Sequence, residues 1–284
     1  MTAVTLTGRA PSHVLADSIT MLRRNLLHMV RYPGLSMFTI LGPVVILLVV
    51  VFVFGGTLGA GLPGVGGSAG GGTGGGDSGG RAAYLAYVIP GILAITIAGA
   101  ASGTSITVAM DMTEGITARF RTMAISRAAV LAGHVLGNTL QALVAVALVL
   151  GVALLVGFRP TAGPLEWIAA AGVVTLVSFA VNWLGVAMGM QSKSVETASN
   201  LPLILSLLPM LGSGFVPTSS MPEWSRWFAQ NQPFTPVIET IRGLLLGTPL
   251  ATEPLFAVGW CIVLAVIGAV WAIAIYERKS VRQG

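Results

Sequence analysis

An all-helical integral membrane fold is what the sequence predicts, and three observations carry it. Only 9% of the 284 residues are charged, and 54% are hydrophobic. The mean hydropathy is +0.86. Water-soluble domains carry about 25% charged residues, so this chain lacks the polar surface that water requires. Finally, six apolar stretches are each long enough to cross a bilayer core, which takes about 20 helical residues. They are 36–56, 84–110, 128–157, 165–190, 198–216 and 254–276. The expected architecture is a segment 1–34 with an amphipathic interfacial helix, a six-span membrane domain 35–276, and a tail 277–284. A short helix is expected in the charged connection between spans two and three. Short re-entrant helices are expected between spans five and six.

Taken in order, Met1–Pro11 is polar. From His13 to Arg31, Leu15, Ile19, Leu22, Leu26 and Val30 recur at spacings of four and three, the mark of one helix face. Asp17, Arg24, His28 and Arg31 fall toward the other side. A basic amphipathic helix of this kind lies along a membrane surface; the competing reading is an ordinary packing helix. Tyr32-Pro33-Gly34 ends it. The first span carries no charge. It runs into Gly55–Gly80, where 15 of 26 residues are glycine. Gly59-Ala-Gly61-Leu-Pro-Gly64 is formally a G-x-G-x-x-G, but a nucleotide site would need a strand before it and a helix after it. Pro63 inside the motif also argues for a flexible linker instead.

The second span holds the hydroxyls Thr96, Ser102, Thr104, Ser105 and Thr107. Then comes Asp111–Arg127, with Asp111, Glu114, Arg119, Arg121 and Arg127 between two apolar stretches. Ser126 is placed to cap the third span, which contains His134, Asn138 and Gln141. Arg159–Pro164 reads as a turn, and Gln191–Glu196 as a short polar loop with Lys193. The fifth span holds Pro202 and Pro209. A long semi-polar segment, Pro217–Glu253, leads into the sixth span, and Glu277, Arg278, Lys279 and Arg282 follow it. With six spans both termini share one side. Eleven of the 15 lysines and arginines fall on that side and four (Arg81, Arg159, Arg226, Arg242) on the other, which places both termini and Asp111–Arg127 in the cytoplasm. Three G-x-x-x-G spacings, Gly99/Gly103, Gly133/Gly137 and Gly185/Gly189, read as helix packing.

Several kinds of chemistry are excluded. The basic residues are scattered over loops, not gathered on one face, so no nucleic-acid partner is expected. Cys261 is the single cysteine and reads as a small apolar group. No cleavable leader is expected at the start, because the first apolar run begins late and is too long. A phosphate-binding loop of the G-x-x-x-x-G-K type needs a Gly-Lys pair, and the two lysines follow Ser192 and Arg278. If ATP drives this protein, another polypeptide hydrolyses it. A gradient-driven carrier usually needs ionisable residues at membrane depth. Here His134 is the one titratable group expected inside a span, serving either as a proton relay or as a helix–helix hydrogen bond. Membrane catalysis would need a paired acid and base or a metal cluster, and His13, His28, His134 and Cys261 show no ligand spacing.

Two segments stand out. In Asp111–Arg127, Asp111 or Thr113 could cap a short helix with Glu114 in its first turn. Ile116, Phe120 and Met123 then share one face, while Arg119 and Arg121 project elsewhere. A helix built this way fits a groove on a soluble partner, with Phe120 as its anchor. The simpler reading is a loop that only fixes topology. The second segment, Phe215–Gly247, carries Pro217, Pro222, Pro233, Pro236, Trp224 and Trp227. Tryptophans suit a membrane–water boundary. Met221–Ala229 and Val237–Leu246 are expected as short helices, the second with Glu239 and Arg242 at i,i+3. Together with Phe215 and Trp224 they would form an outer gate.

Three pieces resemble one family as they stand: Glu114-Gly-Ile-Thr-Ala-Arg-Phe-Arg-Thr-Met-Ala-Ile-Ser-Arg127, Phe215-Val-Pro-Thr-Ser-Ser-Met-Pro-Glu-Trp224, and Asn231-Gln-Pro-Phe-Thr-Pro-Val-Ile-Glu-Thr-Ile-Arg-Gly-Leu-Leu-Leu-Gly247. With the six-span layout, the chain resembles the membrane subunit of ABC-2 type transporters, especially the daunorubicin-resistance-like permeases of actinobacteria. The resemblance implies a bacterial inner-membrane exporter subunit that pairs with a second permease copy and binds two copies of a separate ATPase. ATP and Mg would sit on that partner, and this chain would bind no cofactor and do no catalysis. The resemblance also implies that Glu114–Ser126 is a coupling helix, engaging the ATPase through Glu114, Ile116, Arg119, Phe120, Arg121 and Met123. Spans two and five would line the substrate path, near Ser102, Thr104, Thr107, Asn200, Ser206 and Met210. The charge-poor spans favour a hydrophobic or amphipathic cargo, drug-like or lipid-like. The alternatives are a gradient-driven carrier or channel in which His134 titrates, and a regulatory membrane scaffold.

Overall fold

The structure, a computed structural model, describes residues 33–55, 77–113 and 127–281, and all the regular structure among them is helical. The expected surface helix over His13–Arg31, most of the glycine-rich linker, and Glu114–Ser126 with its six partner-facing residues lie outside the described residues.

The elements run as follows. Helix α1 spans Pro33–Val49 and continues as a π-helical turn, Val50–Phe54. Helix α2 spans Asp77–Thr113, α3 Arg127–Val156 and α4 Pro164–Gln191. Two short helices follow, α5 over Val195–Asn200 and α6 over Leu203–Leu207. After a 3-10 turn at Thr218–Ser220 come α7, Glu223–Asn231, and α8, Phe234–Leu246. Helix α9, Glu253–Val281, ends the fold. Among the described residues, four helices are long and apolar enough to cross a membrane, lying in α2, α3, α4 and α9. Leu41–Phe54 is a shorter apolar helix.

The fifth expected span, 198–216, is not one helix. Pro202 and Pro209 lack the N–H that would continue the ladder. The segment is therefore α5, α6 and a string of turns closed by bonds such as Gly212 N to the Pro209 carbonyl, 3.4 Å. Such irregular backbone is tolerated in a membrane protein where it packs against other helices. Here it lies against α2.

Helix α2 sits at the centre, packed against α1, α3, α4, α5, α6 and α8. It runs parallel to α4, because Gly185 meets Ala101 and Gly189 meets Ser105. A Cβ on Gly185 would lie 2.7 Å from the Ala101 carbonyl oxygen, so only glycine lets these backbones come this close. At the end carrying Arg159, Gly157 turns the chain out of α3 with φ +119, a conformation costly for other residues. Arg159 Nη1 donates to the carbonyls of Leu154 and Phe158, at 2.8 and 3.0 Å. The Glu166 carboxylate accepts from the Gly163 N–H, so this charge near a span end is a helix cap. Thr161 N donates to the Leu245 carbonyl, 3.1 Å, tying this turn to the end of α8.

Candidate functional site

Among the described residues, Arg242 is the charged side chain that the fold encloses most completely. It lies one turn after Glu239 on α8, and the two form an ion pair through Nη1. Its Nη2 donates to two main-chain carbonyls, Ser213 at 2.8 Å and Tyr87 at 3.2 Å. The guanidinium carbon lies 4.0 Å from the centroid of the Tyr87 ring, a cation–π contact. The Tyr87 hydroxyl donates to the same Ser213 carbonyl, 3.0 Å. One guanidinium thus ties together α2, the turns after α6, and α8. Burying a guanidinium is affordable only with such partners, and its planar fork suits several acceptors at once.

Two sequence features make the knot possible. Pro90 in α2 removes the ladder bond to the Ala86 carbonyl, which loosens the helix beside Tyr87. One turn past Tyr87, Gly91 meets Gly214 backbone to backbone. A Cβ on Gly91 would lie 2.5 Å from the Gly214 carbonyl oxygen and 2.6 Å from its Cα. Any side chain there would push the 208–216 turns, and the Ser213 carbonyl with them, away from α2.

Farther along α2, a polar seam crosses the bundle. Thr104 Oγ1 donates toward Asn182 Oδ1 on α4, 2.6 Å, and Asn182 Nδ2 donates to Thr139 Oγ1 on α3, 3.2 Å. All three are buried, so the seam staples three spans where no water competes. At the far end of α2, Asp111 meets His134 of α3, Oδ2 to Nε2 3.2 Å. An aspartate in a last turn opposes the helix dipole, so a partner across the gap offsets a real cost. Sequence reasoning offered Asp111 or Thr113 as the cap of a following helix. Both lie in α2, which continues through Thr113, and the Thr113 hydroxyl donates to the Met110 carbonyl; the helix they would cap lies outside the described residues. Asn138 Nδ2 donates to the His134 carbonyl, 2.9 Å, closing the local polar group within α3.

The other expected site residues fall as follows. Thr104 is fully buried, and its hydroxyl serves the seam. Ser102 and Thr107 are half-buried on α2, and the Thr107 hydroxyl donates to the Gly103 carbonyl. Asn200 and Met210 are exposed on the broken fifth segment, and Ser206 is half-buried there. Of the expected gate, Glu239 and Arg242 meet. Phe215 packs partly buried against the core, and Trp224 stands exposed on α7. Tyr87, Ser213, Asn182 and Thr139 were missed. Asn182 had a signal, a lone amide in the middle of an apolar helix. The Tyr87 and Ser213 acceptors are main-chain groups, which leave no mark in sequence. Among the described residues, no three His, Cys, Asp or Glu side chains converge as a metal site.

Known proteins give this arrangement a context. The chain is 28% identical over 247 residues to a daunorubicin resistance ABC transporter permease protein, DrrB1, of Streptomyces coeruleorubidus, an overlap of 85% of this chain and 80% of that protein. It is 25% identical over 206 residues to a probable doxorubicin resistance ABC transporter permease protein, DrrC, of Mycobacterium tuberculosis, covering 69% of this chain and 75% of that one. Residues 17–246, which include α1 through α8 and therefore Tyr87, Ser213 and Arg242, match the family model for ABC-2 type transporters, and the chain belongs to that membrane family.

Proposed function

We propose that this chain is the membrane subunit of an ATP-driven exporter in a bacterial inner membrane, working as a homodimer with two copies of a separate cytoplasmic ATPase. Family membership carries the reading. The absence of any Gly-Lys pair supports assigning ATP and Mg to the partner and not to this chain. The cargo we assign is a hydrophobic or amphipathic compound, drug-like or lipid-like. The relatedness to proteins named for daunorubicin and doxorubicin resistance supports it, as do spans with almost no charge.

In this reading Glu114–Ser126 takes the push of the ATPase through Phe120, flanked by Glu114, Ile116, Arg119, Arg121 and Met123. Helix α2 ends at Thr113, the residue before that segment. Its 37 residues make a rod about 55 Å long, which exceeds the ~30 Å bilayer core. Displacement at Thr113 therefore reaches Tyr87, where Arg242 holds the opposite end. Helix α2 and the broken fifth segment line a path between the two protomers, with Ser102 and Thr107 on the one and Asn200, Ser206 and Met210 on the other. Thr104 contributes by stapling α2 to α4. Glu239 and Arg242 close the outer side, with Phe215 and Trp224 beside them, and both termini are cytoplasmic.

The test is a pull-down from detergent-solubilised native membranes, followed by an ATPase assay. A P-loop ATPase should co-purify in near-stoichiometric amount. Phe120→Ala and Arg119→Glu should leave the protein inserted but remove the partner or its transport-linked activity. A chain that comes out alone and moves solute in liposomes without ATP would establish the gradient-driven carrier, with His134 the first residue to replace.

A further inference from the structure

Four arginines, Arg81, Arg159, Arg226 and Arg242, fall on the side of the membrane opposite the termini in the sequence count, and three of them are held by carbonyls of this chain. Arg159 donates to Leu154 and Phe158, Arg226 to Ser219 and Met221, and Arg242 to Tyr87 and Ser213. Arg81, near the start of α2, differs. Among the described residues it enters no ion pair, and its Nε is buried without a hydrogen-bond partner. The contact it makes is with a ring: its guanidinium carbon lies 5.5 Å from the centroid of Phe52 in the π-helical turn of α1. Gly55, just after that turn, leaves room for the arginine stem, since a Cβ there would lie 2.9 Å from Arg81 Cγ. A ring face attracts the cation but accepts none of its in-plane N–H groups, so the fork stays open to an oxyanion.

From Phe52 a bare stripe runs back along α1. Leu41, Val45, Val49 and Phe52 recur at spacings of four, four and three, which puts them on one helix face. They are 44%, 56%, 48% and 56% exposed. At 1.5 Å per residue the stripe is about 16 Å long, the depth of one leaflet, half of a ~30 Å bilayer core. It carries a cation at one end and nothing polar along its length. A phospholipid has the complementary order built into one molecule, an oxyanion followed by an acyl chain. A protein surface would have to set a carboxylate at the head of a wholly apolar ridge.

We propose that Arg81 and the α1 stripe form a binding site for one anionic phospholipid of the leaflet at the Arg159 end. The lipid phosphate takes the guanidinium fork, and an acyl chain lies along Phe52, Val49, Val45 and Leu41. A headgroup of net negative charge is preferred to a zwitterionic one, whose own ammonium competes for the phosphate. The inference rests on the membrane family and depends on neither the ATPase nor the cargo.

The full chain in detergent micelles is offered phosphatidylglycerol and phosphatidylcholine of equal chain length, and native mass spectrometry measures how much of each it keeps. The unaltered chain should keep phosphatidylglycerol severalfold better, and Arg81→Gln should bring the ratio near one. Arg81→Lys keeps the charge but loses the planar fork, and its ratio should fall between the two. A phosphatidylglycerol carrying a diazirine midway along its chain then locates the site in phosphatidylcholine vesicles. In the unaltered chain its cross-links should concentrate in 41–53. This labelling needs no variant, so it decides the matter even where Arg81→Gln fails to fold. The same lipid ratio in the unaltered chain and a folded Arg81→Gln would overturn the proposal, as would labelling spread evenly over α3 and α9. Labelling absent from 41–53, with cross-links between the α1 helices of two copies, would overturn it in favour of a second copy. Loss of the phosphatidylglycerol preference on adding inorganic phosphate at constant ionic strength would overturn it in favour of a free anion.

Discussion

At the Arg159 end of α2, a guanidinium touches two main-chain carbonyls, a carboxylate and an aromatic ring. At the other end, Asp111 and His134 face each other at 3.2 Å, with side chains 14% and 10% exposed. Both contacts join α2 to a neighbouring element, but their chemistry differs. The Arg242 knot uses a permanent charge and acceptors built into the backbone, which no rotamer change can withdraw. The Asp111–His134 pair uses two side chains, one of which is charged only when protonated. In the proposed exporter, the permanent anchor stands at the outer end of α2 and the side-chain pair stands beside the segment assigned to the ATPase.

The largest expected effect comes from removing the anchor. Arg242→Leu takes the partner from the Glu239 carboxylate and a donor from the Tyr87 and Ser213 carbonyls, of which Ser213 keeps the Tyr87 hydroxyl, a loss of about 3 kcal/mol, the lower end for broken buried pairs because Glu239 is partly exposed. Thermal unfolding in detergent should register it as a large drop in midpoint. His134→Leu removes one partner from a clasp nearer the helix ends, and about 1–3 kcal/mol is expected. Equal losses would break the comparison, since both ends would then be held alike. Next comes the backbone contact. Gly91→Ala forces a methyl into the Gly214 backbone, and overpacking of this kind costs about 1–3 kcal/mol. Gly99→Ala on the same helix meets nothing within 4 Å and should be neutral or slightly stabilising. A Gly91→Ala variant as stable as Gly99→Ala would show that the knot tolerates a shift of the 208–216 turns. The smallest effect is in the middle. Asn182→Ala cuts the seam between the two ends and should cost about 0.6 kcal/mol, at most about 1.7, as single polar contacts between membrane helices do.

How far the sequence could be read follows from which groups make these contacts. Charge-poor runs marked the apolar cores of α2, α3, α4 and α9 because hydropathy is a property of side chains alone. Their ends were harder. The expected span 84–110 is the helix Asp77–Thr113, since neither the polar start around Asp77 nor Asp111 stops a helix when a partner such as His134 compensates. Span 198–216 was apolar enough to expect one helix, although Pro202 and Pro209 already marked the interruptions. Within the site, Glu239 and Arg242 were legible because i,i+3 spacing is local. That Arg242 reaches Tyr87, 155 residues away, was not legible, because a carbonyl is common to every residue type. The glycine pairs were visible as spacings, but Gly91 and Gly214 lie on different segments and match no spacing rule.

The Arg242 contacts also bear on how the chain is made. Arg242 leaves the ribosome after both of its main-chain acceptors, since Tyr87 precedes it by 155 residues and Ser213 by 29. A newly synthesised guanidinium therefore follows both of its carbonyl partners out of the ribosome. Synthesis in the opposite order would present the cation before any acceptor existed. A rearranged gene that begins at α8 and ends after α6 would encode the same contacts, yet its product should stall at the insertion machinery and be degraded there.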